Sequence, residues 1–431
     1  MTQTTQGTSR PHRWAFIFRG ELWRHPDFLK YWAGWSVSAL GKQVTTIALP
    51  TAAILLLNAG PAEMGMLTIL EYLPFLLLAM VAGVLVDRPP RRTVLVICGA
   101  GRSAIFMFVT AAYFIGTLSI YHLYGAALLL GTFSVASQVA SQAYQRVLLA
   151  RSQLMEGNTK REVSGSAASA AGPALAGALI EWIKSAPALL FDATMSLISV
   201  AILLTIRTAE PPSSMSGGQG LRTLWGELVQ GLRALLGNVI LVLFTGNSAQ
   251  INLAVRIVLT VYLLYAYNEL ELTPAAVGIA LSIGSIGGFL GAFATPPLVQ
   301  RIGMGPALAL ASGFVLAGYL MLPLAKFGYA APLLATASVV FSFCANMHDI
   351  IMNTVRQAIV PQQLQGRVVG VARTVTRGMH PLGAAIGGLL GTHVGLAPTV
   401  LIGAVLGLLS VLWLLPSPAW HVGRHIALEG K

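Results

Sequence analysis

Apolar residues in this chain do not alternate with polar ones. They run in long blocks, separated by short breaks rich in charge, proline or glycine. About 20 consecutive apolar residues are needed to cross the hydrocarbon core of a bilayer. Blocks of that length fall at 30–57, 62–86, 92–117, 121–146, 161–183, 186–206, 238–267, 273–299, 304–325, 331–356, 367–393 and 397–416. The pattern predicts twelve transmembrane helices. It excludes a membrane barrel, whose strands would alternate every second residue. The narrowest divisions separate 161–183 from 186–206 and 367–393 from 397–416.

Composition agrees with that pattern. The 431 residues are 55% hydrophobic and 10% charged, with a mean hydropathy of +0.72. Soluble domains carry roughly 45–50% apolar and about 25% charged residues. An ordinary soluble enzyme is excluded, and so is a disordered chain, which needs low hydrophobicity and high charge. The net charge of +12 comes from 27 Lys+Arg against 15 Asp+Glu. With the N-terminus in the cytoplasm, the only cations in external loops are Lys184 and Lys326, while Lys42, Arg102, Arg256, Arg373 and Arg377 lie inside spans. All other cations fall on the internal side. That asymmetry predicts cytoplasmic termini in a cell (inner) membrane. The charge therefore encodes topology in a bilayer and does not imply a nucleic-acid partner. The polar, basic stretch before the first span lacks an A-x-A-like site and does not read as a cleaved signal peptide. Residues 1–10 are rich in Thr, Gln and Ser, and are expected to be disordered.

The longest break lies midway. It carries Glu210-Pro211-Pro212 and a Ser/Gly run to Gly220, as a flexible linker does. Leu221, Leu224, Trp225, Leu228, Leu232, Leu235 and Leu236 then recur at helical spacing, which predicts an amphipathic helix on the membrane surface. The expected organisation is a tail (1–27), a six-helix half (28–206), a linker (207–237), a second six-helix half (238–416) and a tail (417–431). The halves resemble each other at an offset of 210: Arg91 aligns with Arg301, and Gln153-Leu154 with Gln363-Leu364. Repeated halves are the layout of secondary transporters, which bind substrate between them at mid-membrane.

Five stretches carry a family resemblance. Gly83-Val-Leu-Val-Asp87-Arg88-Pro89-Pro90-Arg91-Arg92 resembles the G-x-x-x-D-R-x-G-R-R motif of the major facilitator superfamily, with Pro90 in place of the second Gly. In that family the carboxylate and guanidiniums bridge the halves at the cytoplasmic face, so Gly83, Asp87, Arg88, Arg91 and Arg92 form a candidate conformational gate. Arg356-Gln357-Ala-Ile-Val-Pro361, continuing to Gly366-Arg367-Val, is similar to the enterobactin-exporter and macrolide-efflux branch, as are Gly34 with Ser38-Ala-Leu-Gly41 and Phe191-Asp192-Ala193. Gly172-Pro173-Ala-Leu-Ala176-Gly177 resembles an antiporter motif in the fifth span, and equally suits plain small-residue helix packing. Two positions depart from the branch. Lys42 stands where it usually has Asp, and Gly99 where it usually has Asp three residues before Arg102. The resemblance therefore assigns no proton site.

Ionisable residues at a helix centre cost roughly 2.5–3.5 kcal/mol on insertion scales and usually face a cavity or a partner. The candidates are Lys42, Glu71, Arg102, Arg256, Asp349, Arg377 and His380. Lys42 and Glu71 are expected to meet, either as a proton or cation-substrate site or as a static neutralising pair. Asp349 is expected to pair with Arg256, Arg373 or Arg377. Polar cavity candidates are Trp35, Gln43, Gln142, Asn247, Gln250 and Asn346, although a lone polar residue is more often an interhelical hydrogen bond. No G-x-x-x-x-G-K-[ST] loop or H-E-x-x-H is present, and Cys98 and Cys344 are the only cysteines. The expectation is a non-enzymatic, cofactor-free monomer with an all-α membrane fold. It would export an amphipathic small molecule by proton antiport, with an importer or uniporter, or a non-transporting sensor, as alternatives.

Overall fold

The computed structural model describes residues 20–78, 90–208, 210, 221–361 and 364–416. Both predicted tails, the Pro/Ser/Gly stretch of the linker, and Gly83, Asp87 and Arg88 of the proposed gate lie wholly or largely outside these residues. Among the described residues the chain is helical throughout. The first six spans are α1 (Pro26–Leu57), α2 (Pro61–Leu78), α3 (Arg91–Ile115), α4 (Ile120–Leu148), α5 (Leu154–Ile183) and α6 (Ser185–Leu204). The linker contains α7 (Leu221–Leu236). The last six spans are α8 (Val239–Leu264), α9 (Pro274–Ile302), α10 (Met304–Phe314), α11 (Ala330–Ile359), α12 (Gln365–His393) and α13 (Leu396–Leu408).

The two narrow divisions are real breaks. Lys184 takes φ 72° and ends α5, and Gly395 takes φ 94° between α12 and α13. A left-handed residue stops a helix even where hydrophobicity continues. Sequence reading started the fifth span at 161, whereas α5 begins at Leu154. The ninth and twelfth spans finish as 3-10 helix, Ala317–Phe327 and Leu409–Trp413.

Ten helices among the described residues are long and apolar enough to cross a membrane. The other two spans are α2 and α12. The former is described only to Leu78 and carries Glu63 and Glu71; the latter carries Arg367, Arg373, Arg377, His380 and His393. These two pack on each other across the molecule, so neighbouring protein shields much of their polar surface from lipid.

The first and last six spans meet along α5–α9 and α2–α12. Small residues make both contacts possible. A Cβ at Gly65 would stand 2.9 Å from the Ala384 carbonyl oxygen, and one at Gly388 2.9 Å from that of Pro61. A Cβ at Gly177 would collide with the Pro274 carbonyl, and one at Gly278 with that of Pro173. These contacts lie at the end of the bundle remote from the linker. Towards the linker, α9 turns to α11, where Gly287 and Gly291 pack on Val339 and Phe343.

The linker helix α7 is not simply a membrane-surface helix. Its Leu235 is buried in a cluster with Val360, Val368, Val371 and Ala372. Arg367 donates to Gln230 Oε1 at 2.7 Å. The amphipathic face thus covers the start of α12, and lipid is not its sole partner.

Candidate functional site

A cavity of about 320 Å³ lies between the two sets of spans. Lys42 and Thr46 of α1, Glu71 and Tyr72 of α2, Arg102 of α3, Leu130 of α4, Arg256 and Tyr262 of α8 and Leu281 of α9 line it. A second cavity of about 280 Å³ adjoins it, nearer the linker end. Its walls include Tyr31, Trp35, Lys42, Phe75, Arg102, Gln138 and Arg161. Lys42, Arg102 and Ser134 belong to both walls.

The expected meeting of Lys42 and Glu71 takes a specific form. Both line the central cavity, yet they form no ion pair within 4 Å among the described residues. They face the same space without neutralising each other by contact.

Arg102 is bound instead to Asp192 of α6 at 2.6 Å. That carboxylate has no exposed surface. It also accepts from Thr45 Oγ1 at 2.5 Å and Ser196 Oγ at 3.1 Å. Burying a carboxylate is tolerable only when its lone pairs are occupied in this way. Asp192 thus answers the cation that the missing acid at position 99 would otherwise face. Gly99 makes room for α6: a Cβ there would press on Val200.

Arg256 is held from two sides. Its Nε donates to His380 Nδ1 at 3.0 Å, and its Nη2 donates to the Tyr72 hydroxyl. The guanidinium carbon lies 4.3 Å from the Tyr72 ring centroid. His380 Nδ1 is therefore an acceptor, which leaves Nε2–H to donate to Asn252 Oδ1 at 2.9 Å. Arg377 lies over the Phe75 ring at 5.3 Å and reaches Gln138 at 3.5 Å.

Asp349 pairs with none of Arg256, Arg373 and Arg377 among the described residues. Its side chain is 78% exposed, and its recorded partner is the neighbouring His348 at 3.5 Å. It sits on an exposed face of α11 and not against the expected guanidiniums. His348 itself is buried and bonds Asn247 Oδ1 at 3.0 Å.

Most of the polar cavity candidates serve packing. Asn247 is fully buried and donates to the Ser410 carbonyl at 2.9 Å. Gln250 donates to the Leu406 carbonyl and accepts from Trp413 Nε1. Gln43 donates to Ser169 Oγ at 2.9 Å. Asn346 lies against Gly288 at the α9–α11 contact. Gln142 is exposed and lines neither cavity. Amides in a bilayer satisfy themselves on neighbouring helices, which overrides their availability to a ligand. Trp35 does line the smaller cavity, with the Arg161 guanidinium 4.7 Å from its ring centroid.

One cavity residue was not evident from sequence, and its neighbour is buried without lining either cavity. Arg161 reads as a cytoplasmic loop cation but faces the smaller cavity, because α5 starts one to two turns earlier than hydropathy suggests. Lys160 is 2% exposed and lies 3.9 Å from the Trp23 ring centroid.

Of the proposed gate, Arg91 and Arg92 are described. Their backbone N–H groups donate to the two carboxylate oxygens of Glu210, each at 2.7 Å. The start of a helix offers unpaired N–H groups and a positive dipole end, so a linker carboxylate caps α3. Arg92 also bonds the carbonyls of Leu203 and Leu204.

Gly172, Pro173 and Gly177 lie along α5, with Pro173 and Gly177 on the contact with α9. Proline at 173 has no N–H for the Ser169 carbonyl, four residues earlier. That carbonyl instead accepts from Ser285 Oγ at 3.0 Å. Next door, Ala174 N–H donates to Ser282 Oγ at 2.9 Å. The proline thus frees backbone groups that tie the halves together. Thr51 and Tyr267 hydroxyls add a 3.0 Å bond, and Glu181 accepts from Ala275 N–H at 3.1 Å. Ser285→Ala leaves the Ser169 carbonyl unpaired and is expected to weaken this closure by about 1–3 kcal/mol. Faster labelling of a cysteine placed at Thr51 would register the change, and unaltered labelling would contradict it.

Residues 31–383 match the model of the Major Facilitator Superfamily. A multidrug efflux pump, Tap, of Mycobacterium tuberculosis is 27% identical over 395 residues, covering 88% of this chain and 90% of the pump. An uncharacterized MFS-type transporter, YfiS, of Bacillus subtilis is 24% identical over 425 residues, covering 93% and 95%. Among solved structures, nucleoside transporter NupG superposes with a TM-score of 0.71 at 14% identity, over 90% of this chain and 98% of NupG. With ten helices among the described residues long and apolar enough to cross a membrane, small-residue contacts between the first and last sets of helices and a charged cavity at their junction, this multi-pass membrane chain is a member of the major facilitator superfamily.

Proposed function

We propose that the protein exports an amphipathic small molecule from the cytoplasm across the cell membrane by alternating access, with inward proton movement as the energy source. The observation that carries this reading is the central cavity, which takes walls from both halves while α5–α9 and α2–α12 interlock at one end. A site at the junction of two rocking bodies can be exposed to one side at a time. The cation distribution supports a cytoplasmic linker end, and on that reading the interlocked end faces outward. The similarity to the Tap efflux pump, over 88% of this chain, supports the export direction.

Glu71 is the candidate proton carrier, being a carboxylate on the cavity wall with no ion-pair partner within 4 Å among the described residues. Direction-resolved flux in inside-out vesicles with an imposed pH gradient tests both parts. Export predicts accumulation inside such vesicles when their lumen is acidified. Glu71→Gln is expected to abolish the dependence on the pH gradient while leaving passive exchange of substrate. Proton-driven accumulation that survives in Glu71→Gln removes Glu71 from the coupling. Movement only in the opposite direction would favour an importer.

A further inference from the structure

We propose that the transported molecule bears an anionic group, a carboxylate, phosphate or sulfonate, seated between Lys42 of α1 and Arg256 of α8. The inference rests on the reading of the central cavity as the substrate site.

Four cations line the two adjoining cavities, Lys42, Arg102, Arg161 and Arg256, against one carboxylate, Glu71. Arg102 is answered by Asp192 just behind the wall. Arg161 is held by an uncharged group, Gln145 Oε1 at 2.7 Å, and stacks on Trp35 and Tyr31. Lys42, Arg161 and Arg256 therefore remain against Glu71 alone. Arg377, beside Phe75 on the wall of the smaller cavity, adds to the same sign.

Two details show that this excess is aimed at a ligand. First, no hydrogen bond or ion pair to the Lys42 ammonium is made by the described residues, although it stands midway along a membrane-spanning helix. An ammonium in that setting is costly unless something else pairs with it. Second, Arg256 is oriented by partners that leave its charge intact. Tyr72 contributes a hydroxyl and a ring face, and His380 contributes an unprotonated Nδ1. A guanidinium fixed by neutral groups is preorganised for an anion and pays little to reorganise when one arrives.

Most of the remaining wall is apolar, including Ile47, Leu67, Leu130, Leu259 and Leu263, with a few hydroxyls such as Thr46 and Thr68. It suits a hydrophobic body attached to the charged head. A cation entering the same space would meet like charge in a medium of low dielectric.

The test uses three probes with one body and three charges: naphthalene-2-carboxylate, naphthalene-2-carboxamide and naphthalen-2-ylmethylammonium. Their binding to the purified full chain in lipid nanodiscs is measured by calorimetry. The carboxylate is expected to bind roughly tenfold or more tighter than the amide, and the ammonium more weakly than both. Lys42→Gln and Arg256→Gln should each remove that preference while leaving amide binding in place. Lys42→Arg, which keeps the charge, should retain the preference and controls for misfolding. Glu71→Gln deletes the opposing charge and should tighten the carboxylate several-fold.

Ammonium binding equal to or tighter than carboxylate binding in the unmodified protein overturns the proposal. So does a carboxylate preference that survives both neutralising substitutions. Binding is read without flux, so the two readings fail separately. An anion-selective cavity in a protein that moves nothing would defeat the transport reading alone. Export of cations with no anion preference would defeat only this one.

Discussion

Asp192→Asn is expected to lower the stability of the folded protein by about 3 kcal/mol, the lower end of the range for breaking a buried ion pair. The carboxylate has no exposed surface and accepts from Arg102, Thr45 and Ser196 at once. Asparagine keeps the volume but leaves the Arg102 guanidinium without its charge partner inside the bundle. The lower end applies because Arg102 also borders the cavities, where water offsets part of the loss. The double variant Arg102→Gln/Asp192→Asn removes both charges and should recover much of the stability. Thermal unfolding of detergent-purified protein reads both. A single variant that melts with the parent would show that the pair contributes nothing. A double variant no better than the single would assign the effect to lost packing.

Gly177→Val should arrest the transport cycle. The Gly177 backbone lies so close to the Pro274 carbonyl of α9 that even a Cβ would collide with it, and Gly278 stands in the same relation to Pro173. Neither backbone can yield without parting the helices, so a branched side chain wedges the end remote from the linker. Overpacking of this kind costs about 1–3 kcal/mol, which shifts the closed-to-open ratio by roughly 5- to 150-fold. The rest of the bundle is untouched, so the variant should still fold. In a background lacking Cys98 and Cys344, a cysteine at Thr51 should react faster with a membrane-impermeant maleimide in the Gly177→Val protein, and substrate flux should fall with it. Unchanged labelling together with normal flux would mean that this contact does not gate the cycle.

Much of the fold was legible because a bilayer leaves few options. Backbone groups in hydrocarbon must bond within their own segment, so a long apolar block can only be a helix. The blocks and the midchain linker could be read directly, and the embedded charges stood out as exceptions needing a partner. Pairing was not legible. Asp349 looked like a mate for an arginine, but its position on an exposed face of α11 leaves it beside His348. Asp192 carried only a resemblance to the branch, which named no partner for it; it is the carboxylate that holds Arg102. For Asn247 and Gln250 the sequence left a cavity contact and an interhelical bond both open; in the bundle they fasten α8 to the carbonyls of the last span. Helical periodicity gives the direction of a side chain relative to its own axis. It does not say which neighbour that direction meets.

Hydropathy and the distribution of lysine and arginine alone determined that this is a many-span membrane protein with a linker between two sets of helices. Those properties depend on transfer from water to lipid, which sums residue by residue along the chain. Tertiary structure alone decided that Lys42 and Glu71 share a cavity without touching, that Arg256 is held by Tyr72 and His380, and that Pro173 frees the Ser169 carbonyl for Ser285 across the junction. Each depends on how helices distant in sequence rotate and pack, and contacts of a few ångströms between such helices are set only when the bundle closes.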